Sequence, residues 1–184
     1  MSKIEQLTSA WTQFVERYSD LLQKSDNKDF QSDPEWPSPC EYERLGEITW
    51  RPVLQTGSNL NTALTFANVE QALNIKIDEQ YATFFTLFFS DNLTARHEFG
   101  PLEFLQPWSE SDFSRLQQNL IGHLMMKQKL KQSETLFFAL TDEEDLNLVV
   151  DNQTGEVCLE YVGKAPHKVV AKDLVSFIEA CEPV

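Results

Sequence analysis

Trp108-Ser-Glu-Ser-Asp-Phe113, continued by Asn119-Leu-Ile-Gly-His-Leu124 and a basic tail reaching Leu130, carries the clearest local signal in the chain. Ser109 followed by Asp112 resembles a capping box, in which a hydroxyl and a carboxylate satisfy the first free backbone N–H groups, so a helix is expected to begin there. Phe113, Leu116, Leu120, Ile121 and Leu124 recur at spacings of three and four and form one apolar stripe that must face a core. Glu110 and Asp112 sit at the positive end of the helix dipole, and Lys127, Lys129 and Lys131 at the negative end. Gly122 inside the helix implies either close packing against a neighbour or a local break. Periodicity alone makes this a core helix and says nothing about function.

Working toward the N-terminus, Leu102 to Gln106, Leu93 to Phe99 and Thr83 to Phe89 read as an antiparallel meander, separated by Phe99-Gly100-Pro101 and Ser90-Asp91-Asn92. Thr94, Arg96 and Glu98 alternate with Ala95, His97 and Phe99, which gives the sheet a polar face; the Phe-rich first strand is expected to sit centrally. Asn68 reads as the N-cap of a short helix, Val69 to Leu73. Gln55 to Asn61 is a connection, a strand is expected within Ile48 to Val53, and Ser25 to Pro39, with prolines at 34, 37 and 39, is a surface loop. Ser2 and Glu5 cap an opening helix of about five turns, whose Ile4, Leu7, Trp11, Phe14, Val15, Tyr18, Leu21 and Leu22 keep the helical period.

Toward the C-terminus, Thr135 to Leu140 is a buried-strand candidate and Asp142 to Asp145 a solvated acidic turn. Leu146, Leu148 and Val150 alternate, Asp151 to Gly155 turns, and Val157, Leu159 and Tyr161 alternate again, a hairpin. Leu174, Phe177, Ile178 and Cys181 trace a last amphipathic helix. The order of elements gives an α+β fold, and 184 residues fit a single domain spanning 1–184.

Charge sets the broadest functional bounds. Fifteen Lys and Arg against 29 Asp and Glu give a formal −14 at pH 7. Such a field repels nucleic acid and anionic lipid and attracts basic partners; its other reading is solubility alone. Between Gln132 and Gly163 there are eight acids and no Lys or Arg. Cys40, Cys158 and Cys181 form no metal-binding or disulfide pattern, which implies a reducing, cytoplasmic setting. The N-terminus lacks the apolar core of a signal peptide, and no apolar run approaches the roughly 20 residues that span a bilayer.

The chain carries no nucleophile elbow, phosphate loop, dinucleotide fingerprint or zinc-protease motif. His97 falls on a strand, His123 on the core helix and His167 in a late loop. None has a partner visible in sequence, and His123 reads as a hydrogen-bonded packing residue. No catalytic residue, cofactor or metal site is expected.

Trp108-Ser109, Asp112-Phe113 and Asn119 to Leu124, together with Ser38-Pro39-Cys40, Trp50 with Pro52, the Phe-rich run ending at Asp91, Leu105-Gln106, Thr135 to Phe137 and Gly155 to Val157, resemble the Syd family of bacterial SecY-interacting proteins. The resemblance spans nearly the whole chain. It implies an α+β domain of the SUKH superfamily, with helices packed on one side of a curved, mostly antiparallel sheet. It also implies a cytosolic protein without catalytic activity. Its partner would be the basic cytoplasmic loops of SecY, bound at a concave electronegative groove, so that the protein reaches the inner membrane only through that partner and monitors or sequesters unassembled SecY. A monomer is the expected state.

Positive-inside topology makes such loops rich in Lys and Arg, which an acidic receptor attracts. The expected groove carboxylates are Glu70, Asp91, Glu98, Glu103, Glu110 and Asp112. Asp91 and Asp112 match the family pattern; the other four follow from strand alternation and helix starts. Four have a local alternative: a cap for Asp112, a dipole partner for Glu110, a turn for Asp91, an Arg96 pair for Glu98. Two other readings stand beside this one. A SUKH-type immunity protein would cap a basic nuclease toxin with the same acidic surface, and a hydrolase would cluster His97 or His123 with carboxylates in a deep pocket.

Overall fold

Both halves of the Ser2 capping box form, with the Glu5 N–H donating to Ser2 Oγ and the Ser2 N–H to the Glu5 carboxylate. They start helix α1, Lys3–Lys24, which buries Leu7, Trp11, Phe14, Val15 and Tyr18 on one stripe. The computed structural model describes residues 1–25, 29–57, 60 and 62–184. Parts of the expected Ser25–Pro39 loop and Gln55–Asn61 connection, at 26–28, 58, 59 and 61, lie outside the described residues.

Seven strands form an antiparallel sheet: β5 Leu93–His97, β6 Gly100–Phe104, β7 Thr135–Thr141, β8 Leu146–Asp151, β9 Val157–Tyr161, β10 Lys168–Ala171 and β11 Glu182–Pro183. Their spatial order is β10-β9-β8-β7-β6-β5-β11. Register shifts at Phe137/Ala139 and Val169/Ala171 mark bulges, which bend strands and help to curve the sheet. Two short pairs precede it in sequence: β1 Glu41–Arg44 with β2 Glu47–Trp50, and β3 Val53–Leu54 with β4 Phe88–Phe89. Leu45 and Gly46 join β1 to β2 with φ of 54° and 83°, the two left-handed residues of a tight hairpin turn.

Antiparallel partners share a face, so the register sorts the side chains. Leu93 with Phe104, Ala95 with Leu102, Phe104 with Ala139, and Leu148 with both Ala139 and Leu159 make one apolar face. Onto it pack α1, helix α3 (Glu79–Leu87) and helix α5 (Leu174–Glu179). Trp11 lies 4.5 Å from Phe84 and 5.1 Å from Phe104 between ring centroids, and Phe177 lies 5.7 Å from Phe138. The other face carries the row Thr94, Glu103, Leu140, Asn147 and Glu160. Helix α4, Glu110–Lys129, crosses that face at its β7–β9 end, where His123 and Lys127 reach Thr135 and Glu160. Helices therefore cover parts of both faces rather than one side alone.

Three local expectations are corrected. Residues 83–87 of the expected first meander strand, Thr83 to Phe89, are helical, and only Phe88 and Phe89 are extended, paired with β3 outside the seven-stranded sheet rather than at its centre. Asp78 decides this: its carboxylate accepts the Gln80 and Tyr81 N–H groups, and the helix then aims Tyr81, Phe84 and Phe85 into the core. Helix α2 runs over Ala67–Leu73, so Asn68 lies inside it; the cap position is Phe66, whose ring packs on Tyr81 and Phe113. Gly122 neither breaks α4 nor meets a neighbour, since a Cβ there would find nothing within 4 Å. Strands β1, β10 and β11 add to the elements the pattern shows; all three are short and partly exposed.

Candidate functional site

The start of α4 makes one wall of a pocket. The Asp112 N–H donates to Ser109 Oγ at 3.2 Å, while Asp112 Oδ2 accepts the Trp108 N–H at 2.9 Å and Oδ1 accepts from Arg115 at 2.8 Å. The carboxylate reaches back to the residue before the cap, which fixes Trp108 against the helix. Trp108 Nε1 donates to the Trp36 carbonyl at 3.2 Å, and Ser38 Oγ donates to the Trp108 carbonyl. These bonds pin the proline-bearing segment 34–39 across the helix start. The Trp108 ring also meets Trp50 edge-on at 5.8 Å and Phe30 at 6.0 Å.

The opposite wall comes from the β4–β5 turn. Asn92 donates its backbone N–H to Asp91 at 2.8 Å and its side-chain Nδ2 to Glu103 at 2.7 Å, and its side-chain Oδ1 accepts the Gln106 N–H at 3.3 Å. One asparagine thus ties the turn to β6 and to the chain leaving it. Between the walls lies a cavity of about 330 Å³ whose acidic lining is Asp33, Glu41, Asp91 and Asp112, with Trp36, Trp108 and Phe30 as aromatic surfaces. Partial burial, followed by the charges of Glu103 and Asp112, raises the Asp91 carboxyl above its ordinary 3.8, and the Asn92 N–H opposes this. The pocket is electronegative enough for one carboxylate to feel the others.

The six sequence-derived acids separate. Asp91 and Asp112 line this pocket, and Glu103 adjoins it through Asn92. Glu70 is held elsewhere: its carboxylate accepts the Ile77 N–H at 3.0 Å and pairs with Lys76 at 3.5 Å, tying α2 to the segment before α3. Glu98 is exposed in the β5–β6 turn, at the far end of β5 from Asp91. Glu110 is exposed on a neighbouring cavity of about 320 Å³, shared with Trp36, Pro37 and Leu60. Sequence reasoning passed over Asp33, Glu41, Gln106 and Arg115. Asp33 and Glu41 flank the prolines, a position that signals a fixed loop but not what the loop faces.

A second polar cluster lies between α4 and the sheet. Lys127 Nζ has no exposed surface and donates to Glu160 Oε2 at 2.9 Å and to the Lys164 carbonyl at 2.8 Å. Thr135 Oγ1 donates to Glu160 at 2.9 Å, and His123 Nε2 lies 3.2 Å from Thr135 Oγ1 and 3.8 Å from Glu160. Burial, then the Lys127 ammonium, pushes His123 down to about 4, so the ring is neutral. With Glu160 only 1% exposed and Lys127 fully buried, the cluster joins α4 to the sheet. His97 is buried between Phe99 and Phe177. All three cysteines are buried and free, with burial pushing Cys40 and Cys181 up to about 12 and Cys158 to about 11. Among the described residues, no three His, Cys, Asp or Glu are placed to hold a metal ion, and no helix is long and apolar enough to cross a membrane.

Comparison with known proteins places these features in a family. The family model described as "Syd protein (SUKH-2)" matches residues 8–183. A "Protein Syd" of Alteromonas mediterranea is 51% identical over 155 residues, 83% of this chain and 83% of that protein. Another, of Pseudoalteromonas atlantica, is 44% identical over 156 residues, 82% of this chain and 81% of its own length. A third, of Colwellia psychrerythraea, is 43% identical over 180 residues, covering 94% of this chain and 90% of that protein. Matched from within its first helix to its last strand, the chain belongs to the Syd family.

Proposed function

We propose that this chain is a binding protein and not an enzyme, and that it holds the basic cytoplasmic loops of SecY in the acidic pocket between α4 and the β4–β5 turn. One observation carries the reading: Asp33, Glu41, Asp91 and Asp112 surround one cavity beside aromatic surfaces, with Glu103 adjoining. In a chain of net charge −14 the long-range field gathers cations, but at physiological salt charges beyond about 8 Å are largely screened. Specificity then falls to the close carboxylates and to the tryptophan faces, which attract cations through their ring electrons. The chain acts as one monomeric domain over residues 1–184, at the cytoplasmic side of the inner membrane through this partner, where it monitors or sequesters unassembled SecY. Binding of a SecY cytoplasmic-loop peptide, weakened by Asp91→Asn and Glu41→Gln at unchanged melting temperature, is the expected result. A peptide that binds both variants as it binds the parent protein would remove the pocket from the account.

A further inference from the structure

The acidic pocket already contains a cation. Arg115, one helical turn beyond Asp112, is the one basic side chain among the described residues lining it. Its guanidinium pairs with Asp112 at 2.8 Å and lies over the Trp36 ring at 5.0 Å, yet 63% of the side chain stays exposed. Gln106, which also lines the pocket, is only 6% exposed, and its Oε1 is buried without a hydrogen-bond partner. Its Nε2 donates to the Phe84 carbonyl at 3.3 Å and the Leu105 carbonyl at 2.9 Å, so the amide cannot be reversed and Oε1 is the free end. A buried acceptor with no donor is costly, and a donor brought in through the cavity that Gln106 helps to line would relieve that cost.

We propose that Arg115 is an internal stand-in for an arginine side chain of the partner, and that docking exchanges one guanidinium for the other. This rests on the reading that the pocket takes a basic segment. The incoming side chain reaches Asp91 and the free Gln106 oxygen and takes over the Trp36 face, while Arg115 moves off Asp112 into solvent. Arginine suits the site better than lysine, because a planar group with five N–H donors both stacks on an indole and forks between carboxylates. A metal ion suits it less, because the carboxylates do not converge into a coordinating group.

The test is calorimetric titration of a basic SecY-loop peptide, in arginine and all-lysine versions, into the parent protein, Arg115→Gln and Lys168→Gln. Lys168 is exposed on β10, at the sheet edge remote from the pocket, so its variant loses the same charge elsewhere. Arg115→Gln is expected to bind the arginine peptide roughly 2- to 5-fold more tightly, the scale on which an exposed ion pair competes. Lys168→Gln is expected to bind as the parent does, and the parent to prefer the arginine peptide. Unchanged or weaker binding by Arg115→Gln overturns the exchange, as does an equal gain in Lys168→Gln, which would reflect net charge. If Asp91→Asn abolishes binding while Arg115→Gln leaves it unchanged, the pocket stands and only the exchange falls. Binding by Arg115→Gln where the parent binds nothing supports Arg115 as the block, and no binding by either folded protein overturns both.

Discussion

Lys127 Nζ and Glu160 Oε2 lie 2.9 Å apart in a place that water does not reach, one on α4 and the other on β9. Removing one member of such a pair leaves the other charged and buried, which costs far more than the pair contributes. Lys127→Met is therefore expected to destabilise the protein by about 3 to 5 kcal/mol in chemical denaturation. Lys127→Met with Glu160→Leu should recover most of that loss, and a double variant as unstable as the single one would show that the pair's own attraction matters more than the orphaned carboxylate.

Two histidines give the stability a pH slope. His123 sits at about 4 in the fold against 6.5 unfolded, so between those values the unfolded chain binds a proton that the folded one refuses. Its contribution is fully present above pH 6.5 and is lost as pH falls toward 4, by on the order of 2 to 3 kcal/mol. His97, lowered mainly by burial, adds in the same direction, whereas Asp91, raised by burial and its acidic neighbours, opposes it. His123→Gln should flatten the fall in melting temperature from pH 6.5 to 4, and an unchanged slope would refute the assignment.

Gly122 offers a gain. A Cβ there meets nothing within 4 Å and α4 is unbroken through it, so Gly122→Ala trades only backbone freedom for helix propensity. An increase of about 1 kcal/mol, or about 2 to 4 °C in Tm, is expected by calorimetry. Gly155 is the counter-case, with φ of +78° and a Cβ position 2.8 Å from Gln80 Nε2, so Gly155→Ala should lower Tm.

How much could be read in advance follows from what each residue's neighbours in sequence supply. The α4 stripe, the alternation of β5, the β8–β9 hairpin and α5 were legible because each buries one face on a local period. The Phe84–Phe89 run has no polar face to set a period, and Asp78, the cap that makes it helical, precedes the run and was overlooked. In the pocket, Asp91 and Asp112 stood out through the motif they belong to. Asp33 and Glu41 reach it across some 50 to 80 positions of chain, a tertiary fact with no local signature. Glu70 illustrates the converse, a carboxylate on a polar helix face that the Ile77 N–H occupies.

Asp91 separates function from stability. Relieving its repulsion by Glu103 and Asp112 should leave Asp91→Asn at least as stable as the parent, while a pocket that needs the charge loses affinity for a basic peptide. Thermal melts beside titrations check this. A variant that loses stability and affinity together would mark Asp91 as structural.

The most direct test of the account is calorimetric titration of a basic SecY-loop peptide into the parent protein, Asp91→Asn and Glu98→Gln, at low and near-physiological salt. Saturable binding that weakens with salt, falls several-fold in Asp91→Asn and is unaffected by Glu98→Gln, whose charge lies at the other end of β5, is the predicted result. Equal losses in the two variants would reduce the interaction to net charge, and contradict a shaped pocket between α4 and the β4–β5 turn.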